Sequence, residues 1–251
     1  MKLSELSTKP DKGLIEATIR SETESICKKI GDLQQILYAE AKQSLLVILQ
    51  GMDASGKDGA IKGVFSAVNP MGVQVIAFKK PTEQEYRHDF LWRVHQQTPP
   101  QGMIHIFNRS HYEDILMPSI LGLYSEKVIR KRYGDINNFE ELLENNNTKV
   151  LKFYLHVSPD EQMERLKERM SNPKKYWKHK DADWEYSKKW NEFMSIYESL
   201  FDKCNKIPWT IVPSDKNWYK EYLVGSEVLK ALEKMNPQYP PLVTSMKPQK
   251  S

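Results

Sequence analysis

The chain has 251 residues, a net charge of +4 and charged side chains at 28% of its positions. This length allows one large α/β domain or two small ones, and the charge suits an anionic ligand but is too small for a dedicated nucleic-acid-binding protein. The two cysteines lie far apart and lack metal-binding spacing, as is typical of plain thiols in a reducing compartment. The chain shows no signal peptide and no apolar run near the roughly 20 residues that span a membrane. We therefore expect a cytoplasmic protein with no membrane and no nucleic-acid partner.

The chain opens with a polar stretch, residues 1–12, which we expect to be loose. Apolar positions then recur at three- and four-residue steps from Leu14 to Ala41, which predicts one long amphipathic helix within about residues 14–44. Residues 45–50 are almost wholly apolar. Such a run is typical of a short strand that is buried on both faces of a parallel sheet.

A glycine-rich loop follows this strand. Residues 51–57, Gly-Met-Asp-Ala-Ser-Gly-Lys, match the phosphate-loop spacing G-x-x-x-x-G-K, although an ordinary turn is the alternative. Backbone N–H groups in such a loop surround phosphate oxygens, and the next helix adds the positive end of its dipole. Lys57 can then reach the transferred phosphoryl group. The residues expected to contact nucleotide or phosphate here are Gly51, Ala54, Ser55, Gly56, Asp58 and Gly59.

Two carboxylates accompany this loop. Asp53 lies inside it, and Asp58 takes the place of the usual Ser or Thr after the lysine. Negative charge beside phosphate is favourable if a metal ion lies between the two groups. The sequence therefore predicts Asp53 and Asp58 at a Mg²⁺ site, with Mn²⁺ as a possible substitute. For Asp58 the alternative is an acidic residue that is stabilised by the helix amino terminus.

Strands and helices alternate through the rest of the chain. We predict a second buried strand at 73–78, a helix at 82–97, a strand at 103–107, a helical region at 115–144, a strand at 149–157, a helix from 158 to a break at Asn172-Pro173, a helix at 183–205, a strand at 209–212 and a helix at 218–235. This alternation predicts an α/β fold in three layers, with a five-stranded parallel sheet and helices on both of its faces. It also predicts a single domain, residues 1–236, and an extended tail, residues 237–251.

Polar residues follow the third strand. Asn108 stands where many phosphate-loop proteins have a metal-holding Asp, and it can accept a hydrogen bond from a metal-bound water. Arg109 would face the phosphates as a built-in arginine finger. The alternative is that Arg109 pairs with Glu113 or Asp114.

The segment from residue 165 to residue 183 is basic and contains a proline break and two aromatic side chains. A solvated helix face is the ordinary explanation for a run of basic residues. The break and the aromatic residues favour a movable helical lid that closes over phosphate.

These motifs resemble those of the type-2 polyphosphate kinases. The similar stretches are 51–59, Phe78-Lys79-x-Pro81, 88–93, 106–114, Arg132-Tyr-x-x-Ile-Asn, Arg165-Leu-x-x-Arg169, Pro173-x-Lys175-x-Trp177-Lys178 and Trp209-x-x-Val-Pro-x-Asp215-x-x-Trp218. The resemblance implies a phosphate-loop kinase fold with a helical lid. It also implies reversible, Mg²⁺-dependent phosphoryl transfer from inorganic polyphosphate to ADP, and to AMP as well, with adenine or guanine nucleotides as partners. We further expect a homo-oligomer.

The resemblance also implies a distribution of roles. The catalytic centre would consist of Asp53, Lys57, Asn108 and Arg109, and the lid residues closing over it would be Arg169, Lys175 and Lys178. Polyphosphate is a flexible polyanion, so it needs a basic groove, for which the candidates are Lys79, Lys80, Arg93 and Arg132. Two other functions remain open: a slowly hydrolysing nucleotide switch, and an ATP-dependent kinase of nucleoside monophosphates or thymidylate.

Overall fold

The centre of the fold is a five-stranded, all-parallel sheet with the strand order β2-β3-β1-β4-β5. The computed structural model describes residues 2–243. The strands are β1 (Ser44–Gln50), β2 (Val73–Ala77), β3 (Ile104–Asn108), β4 (Thr148–His156) and β5 (Trp209–Pro213). This architecture confirms the predicted α/β class and the five parallel strands.

Helices cover both faces of this sheet. They are α1 (Glu16–Glu40), α2 (Lys57–Val64), α3 (Glu83–Tyr86), α4 (Trp92–His95), α5 (Glu113–Leu121), α6 (Glu126–Asn145), α7 (Pro159–Ser171), α8 (Asp181–Lys188), α9 (Trp190–Lys203) and α10 (Asn217–Met235). One apolar core joins one face to α1, α2 and α10, and a second joins the other face to α5, α6 and α9. Among the described residues, no helix is both long and apolar enough to cross a membrane.

Strand β1 organises the sheet because all seven of its residues are buried and it pairs with strands on both sides. The chain builds β2 and β3 on one side of β1 and then crosses to build β4 and β5 on the other. The position next to β1 is therefore the switch point of the sheet, where open α/β folds bind ligands beyond the carboxyl ends of their strands. Leu49 of β1 lies beside Asn108 of β3, so the loops after these two strands begin next to each other.

The prediction that the second strand is buried was wrong. Strand β2 pairs with β3 alone and forms an edge of the sheet, and the side chain of Val75 is half exposed. Its apolar sequence resembles that of a central strand because periodicity in so short a run does not reveal how many neighbours the strand has.

Two predicted helices are each divided in the structure. Residues 82–97 form the one-turn helices α3 and α4, and between them the Asp89 carboxylate accepts a hydrogen bond from the N–H of Leu91 at 2.9 Å. Residues 183–205 form α8 and α9, and near the end of α8 the Ser187 hydroxyl donates to the carbonyl of Trp184 at 2.8 Å. Side-chain hydrogen bonds of this kind compete with the helical pattern.

The expectation that residues 1–12 are loose was also wrong for the described part of that stretch. Leu3 is only 1% exposed and belongs to one of the two cores. Its backbone N–H donates to the Glu198 carboxylate in α9 at 2.8 Å. In the tail, residues 237–243 have no regular secondary structure, and residues 244–251 lie outside the described residues.

Candidate active site

The predicted phosphate loop joins the end of β1 to the start of α2. It turns through left-handed backbone at Ala54 (φ 61°) and Gly56 (φ 95°). Side chains of α7 hold its outer carbonyls, because Gln162 donates to Asp53 O at 2.9 Å and Arg165 donates to Ala54 O at 3.0 Å. Backbone strain of this kind persists where the surroundings support it, and it is typical of ligand-binding loops.

Lys57 is buried at the first position of α2. Its ammonium donates to the carbonyls of Gly51 at 2.7 Å and Met52 at 3.0 Å, and to the Ser55 hydroxyl at 3.4 Å. Burial and the positive charge of Arg109 lower the pKa of Lys57 to about 8. A lysine held in this way in the loop gains an ionic partner when an anion binds beside it.

Arg109 lies against the loop immediately after β3, and its backbone also has a left-handed conformation (φ 64°). Its guanidinium pairs with the carboxylates of Asp53 and Glu113, the latter at 3.0 Å. The Glu113 and Asp53 carboxylates outweigh burial and raise the pKa of Arg109. The structure thus contains the pairing with Glu113 that was the alternative to an arginine finger, and the same guanidinium also contacts Asp53 of the loop.

Asp58 connects three parts of the site. The Asn108 amide donates to one of its carboxylate oxygens at 2.8 Å, and Lys178 of the predicted lid segment (residues 165–183) donates to the other at 2.5 Å. Burial alone would raise the pKa of Asp58, but these two hydrogen bonds hold it below the ordinary value. Asp58 therefore joins the loop, the end of β3 and the lid segment.

The other two basic lid residues have partners within the lid region. Arg169 donates to the Asp183 carboxylate at 2.7 Å and to the carbonyl of Lys178 at 3.2 Å. Lys175 pairs with Glu168 at 2.5 Å. Of the three predicted lid cations, Lys178 is thus the one whose ammonium contacts the phosphate-loop side of the site in this arrangement.

The carboxylates near the loop fit a metal that takes most of its ligands from substrate. Within residues 2–243, no cluster of three or more His, Cys, Asp or Glu side chains is arranged to hold a metal ion. Mg²⁺ commonly binds proteins through one or two carboxylates and completes its shell with water and phosphate oxygens. Asp53, which lines the small cavity between the loop and Arg109, and Asp58 are the residues that would hold it.

The four residues predicted to bind polyphosphate differ in exposure. Lys79 and Lys80 are exposed just after β2. Arg132 stacks over the rings of Phe90 and Tyr124 at 4.7 and 4.4 Å. Arg93 is only 6% exposed and donates to Lys79 O and to the Asp114 carboxylate, both at 2.8 Å. Arg93 therefore orders the chain that carries Lys79, and it is not positioned to touch a long anion directly.

A buried polar network supports the segment after Arg109. Glu140 of α6 accepts hydrogen bonds from Lys152 at 2.7 Å and from the Tyr112 hydroxyl at 2.6 Å. The His111 ring lies 3.2 Å from the same carboxylate. All four side chains are buried. Because buried charges are stable only when they are paired, this network fixes residues 111–112 against β4 and α6.

Sequence reasoning missed Lys220. This residue of α10 is fully buried, its ammonium donates to Asn217 at 2.8 Å, and a Cβ added at Gly56 would lie 2.2 Å from that ammonium. Burial and the nearby Arg165 lower the pKa of Lys220 to about 8. A signal was present, because Lys220 lies four residues before Val224 and eight before Val228, on the apolar stripe of its helix.

Comparison with known proteins decides the family. Residues 14–240 match the polyphosphate kinase 2 (PPK2) family. The chain belongs to this family. It is 46% identical over 215 residues to the AMP/ADP-polyphosphate phosphotransferase of Meiothermus ruber. This alignment covers 85% of this chain and 80% of that protein. It is also 38% identical over 227 residues to the ADP-polyphosphate phosphotransferase of Rhodopseudomonas palustris. That alignment covers 85% of this chain and 78% of that protein.

A solved structure confirms the family's fold for this chain. The crystal structure of polyphosphate kinase 2 from Arthrobacter aurescens superposes with a TM-score of 0.94 and is 34% identical. The match covers 98% of this chain and 90% of that one. The predicted phosphate-loop kinase fold, and with it the membership in a family of phosphotransferases, is thereby confirmed.

Proposed function

We propose that this PPK2 protein transfers phosphoryl groups between inorganic polyphosphate and nucleotides, reversibly, with polyphosphate as the donor to ADP and AMP. The observation that carries the proposal is the convergence of the phosphate loop, Lys57 and Arg109 at the end of β1. The similarity to a relative named for AMP/ADP and polyphosphate supports the choice of substrates.

The reaction requires positive charge more than covalent chemistry. A terminal phosphate oxygen of the nucleotide attacks the last phosphorus of the polyphosphate chain, a new phosphoanhydride bond forms, and the old one breaks to leave a chain that is shorter by one unit. Lys57 and Arg109 stabilise the charge on the transferred group. To do so, both side chains must turn away from their present partners and toward the phosphate. Asp53 is released from Arg109 by the same movement and becomes available to a divalent metal.

A metal ion completes this scheme. A divalent cation, which we propose to be Mg²⁺ with Mn²⁺ as a substitute, neutralises phosphate oxygens when it is bound. Asp53 and Asp58 would hold it, and Asn108 orients Asp58 through the 2.8 Å hydrogen bond between them. The backbone of the loop and of the first turn of α2, residues 51–59, surrounds the phosphates.

Binding of the two substrates is assigned to separate surfaces. The lid cations Arg169, Lys175 and Lys178 close over the nucleotide phosphates. The polyphosphate chain runs along Lys79, Lys80 and Arg132. Arg93 supports this groove through its hydrogen bond to Lys79 O. We further propose that guanine nucleotides are accepted as well, that residues 1–236 act as one unit, and that the protein is a cytoplasmic homo-oligomer.

The proposal is tested by mixing the protein with Mg²⁺, long-chain polyphosphate and either ADP or AMP. We expect ATP from ADP, and ADP followed by ATP from AMP. The Lys57→Ala variant, with an unchanged circular dichroism spectrum, should lose about 10²–10³-fold in rate. An ATP-dependent monophosphate kinase would instead convert ATP and AMP to ADP at full rate without polyphosphate, and that result would replace the proposal.

A further inference from the structure

The residues before α1 form an ordered segment, here named the amino-terminal strap (residues 2–11). The family match begins at residue 14, so the strap lies outside it. Its first turn buries Leu3 in the core and binds Glu198 of α9 through the Leu3 N–H. Its far end is held by α10, where the Tyr219 hydroxyl donates to Asp11 at 3.1 Å. The strap is thus attached at both ends.

Its centre is attached to Asp215, in the loop after β5. The Thr8 hydroxyl donates to the Asp215 carboxylate at 2.7 Å, and the Asp215 N–H donates back to the Thr8 carbonyl at 3.0 Å. The other oxygen of the same carboxylate accepts from the N–H of Ser158 at 2.8 Å. Asp215 is only 5% exposed. Hydrogen bonds to a buried charge are among the stronger ones, and losing one leaves that charge poorly solvated.

Ser158 is the residue that caps α7, so Asp215 fixes the start of this helix. One and two turns further on, α7 supplies Gln162 and Arg165, which hold the carbonyls of Asp53 and Ala54 in the phosphate loop. Arg165 also binds the loop after β5 directly, through the carbonyls of Ser214 at 2.8 Å and Asp215 at 3.2 Å.

A continuous set of hydrogen bonds therefore runs from Thr8 through Asp215 and Arg165 to Ala54. Ala54 is the non-glycine residue of the loop with left-handed backbone (φ 61°), so the loop depends on outside support for its shape. We propose that the amino-terminal strap is a positioning element for the phosphate loop, with Thr8 as its key residue, and that it keeps the loop in its phosphate-binding shape. The consequence for substrate binding rests on the proposed function, whereas the consequence for the loop's order does not.

The Thr8→Val variant keeps the shape of the side chain and removes its hydroxyl. We expect hydrogen exchange of the amides in residues 51–57 to become about threefold to tenfold faster. We expect the dissociation constant of ADP, measured by calorimetry with Mg²⁺, to rise about as much while kcat changes little. Thr8→Ser, which restores the hydroxyl, should return both quantities to near the values of the unchanged protein.

Two controls separate positioning from general stability. Thr148→Val removes a similar hydrogen bond, the 2.9 Å contact with Ser44, from the buried end of β1 and β4 that lies opposite the loop. It should lower the melting temperature without faster exchange in residues 51–57. Glu5→Gln changes an exposed side chain of the strap and should leave exchange and affinity unchanged.

The proposal is overturned if Thr8→Val leaves exchange in residues 51–57 unchanged, or accelerates it no more than Thr148→Val at an equal loss of melting temperature. If Thr8→Val does not fold, Asp11→Asn changes an exposed side chain and weakens the hydrogen bond from Tyr219 at the far end of the strap. This variant should give a smaller acceleration in the same amides, and no acceleration would overturn the proposal. Should the unchanged protein fail to transfer phosphate from polyphosphate, the proposed function falls, while the exchange measurement still decides the role of the strap.

Discussion

Gly56 illustrates how one residue of the phosphate loop is constrained from two directions. Its backbone is left-handed (φ 95°), and the space where a Cβ would lie is taken by the buried ammonium of Lys220. The spacing of the glycines was readable from the sequence. The approach of Lys220 was not, since it joins residues that are far apart in the chain.

We expect Gly56→Ala to lose ADP affinity more than tenfold. A left-handed alanine costs about 1–2 kcal/mol, and Lys220 must also move while it remains buried. Gly13→Ala is the matched control, because Gly13 has nearly the same backbone angle (φ 90°) with nothing within 4 Å of the added Cβ. The double variant Gly56→Ala with Lys220→Ala should regain part of the stability lost, as measured by thermal denaturation. If Gly56→Ala and Gly13→Ala lower the melting temperature equally, the contact between Gly56 and Lys220 is unimportant for stability.

The lowered pKa of Lys57, about 8, predicts a pH effect. In the unfolded chain this lysine keeps its proton up to about its ordinary value of 10.5, so its contribution to the free energy of unfolding rises between pH 8 and 10.5. A bound phosphate anion raises the pKa again, and binding of ADP near pH 8.5 should therefore take up protons. Calorimetry in two buffers of different ionisation enthalpy measures this uptake.

Lys220 titrates in the same range, so the variants must separate the two lysines. Lys57→Arg keeps the charge but does not titrate, and it should abolish most of the uptake, whereas Lys220→Met should retain it. At pH 6 both lysines are protonated before binding and the uptake should vanish. Uptake that survives in Lys57→Arg would assign the proton to another group.

At the scale of elements, the sequence predicted the strands and most of the helices because their patterns are local. It failed where the outcome depends on neighbours or on single side chains. The edge position of β2, the break in residues 82–97 at Asp89 and the packing of Leu3 under α9 are all of this kind. The candidate site shows the same division, since Lys57 and Arg109 were readable from motifs, whereas the contact of Gln162 with the loop and the approach of Lys220 to Gly56 were not.

The lid segment gives a prediction that distinguishes two lysines. Lys178 contacts Asp58 across the site, whereas Lys175 pairs within the lid region. We expect Lys178→Ala to speed proteolysis at residues 172–180 without ligand, and Lys175→Ala to speed it less. The contact is partly exposed, so its contribution is small, about 0–1 kcal/mol.

Asp58→Asn should have the same effect on proteolysis as Lys178→Ala, and the double variant should add little to either, because both changes remove one interaction. If Asp58→Asn leaves proteolysis unchanged in the absence of metal and nucleotide, Asp58 does not hold the lid and its role lies with the metal alone.

At the scale of the whole molecule, the order of the strands explains why the proposed substrate sites lie at one edge of the sheet. Strand β1 carries the phosphate loop, β3 delivers Asn108 and Arg109 beside it, and β2 places Lys79 and Lys80 further along the same edge. A parallel α/β sheet follows from the alternation of strands and helices, whereas the switch point beside β1 depends on the strand order. The strand order itself did not follow from the sequence pattern.

This layout predicts a difference between the two substrates. Replacing Lys79 and Lys80 together with Ala should raise the Michaelis constant for long polyphosphate more than that for ADP. As the salt concentration rises, the affinity for polyphosphate should also fall more steeply than the affinity for ADP, because a polyanion releases bound counterions when it binds. The control is Lys28→Ala with Lys29→Ala, an exposed neighbouring pair on α1 that removes the same charge. Equal increases in both Michaelis constants would show that Lys79 and Lys80 do not form a groove that binds polyphosphate.

Transfer from polyphosphate is tested by following the phosphorus atom itself. The protein is incubated with Mg²⁺, unlabelled ADP and long-chain polyphosphate labelled with ³²P, and the ATP is isolated. At early times, before the reverse reaction is significant, transfer from polyphosphate predicts ATP labelled in its terminal phosphate alone, with the specific activity of the polyphosphate and without formation of AMP. Unlabelled ATP that appears together with an equal amount of AMP would show transfer between two nucleotides, and polyphosphate would then not be the donor.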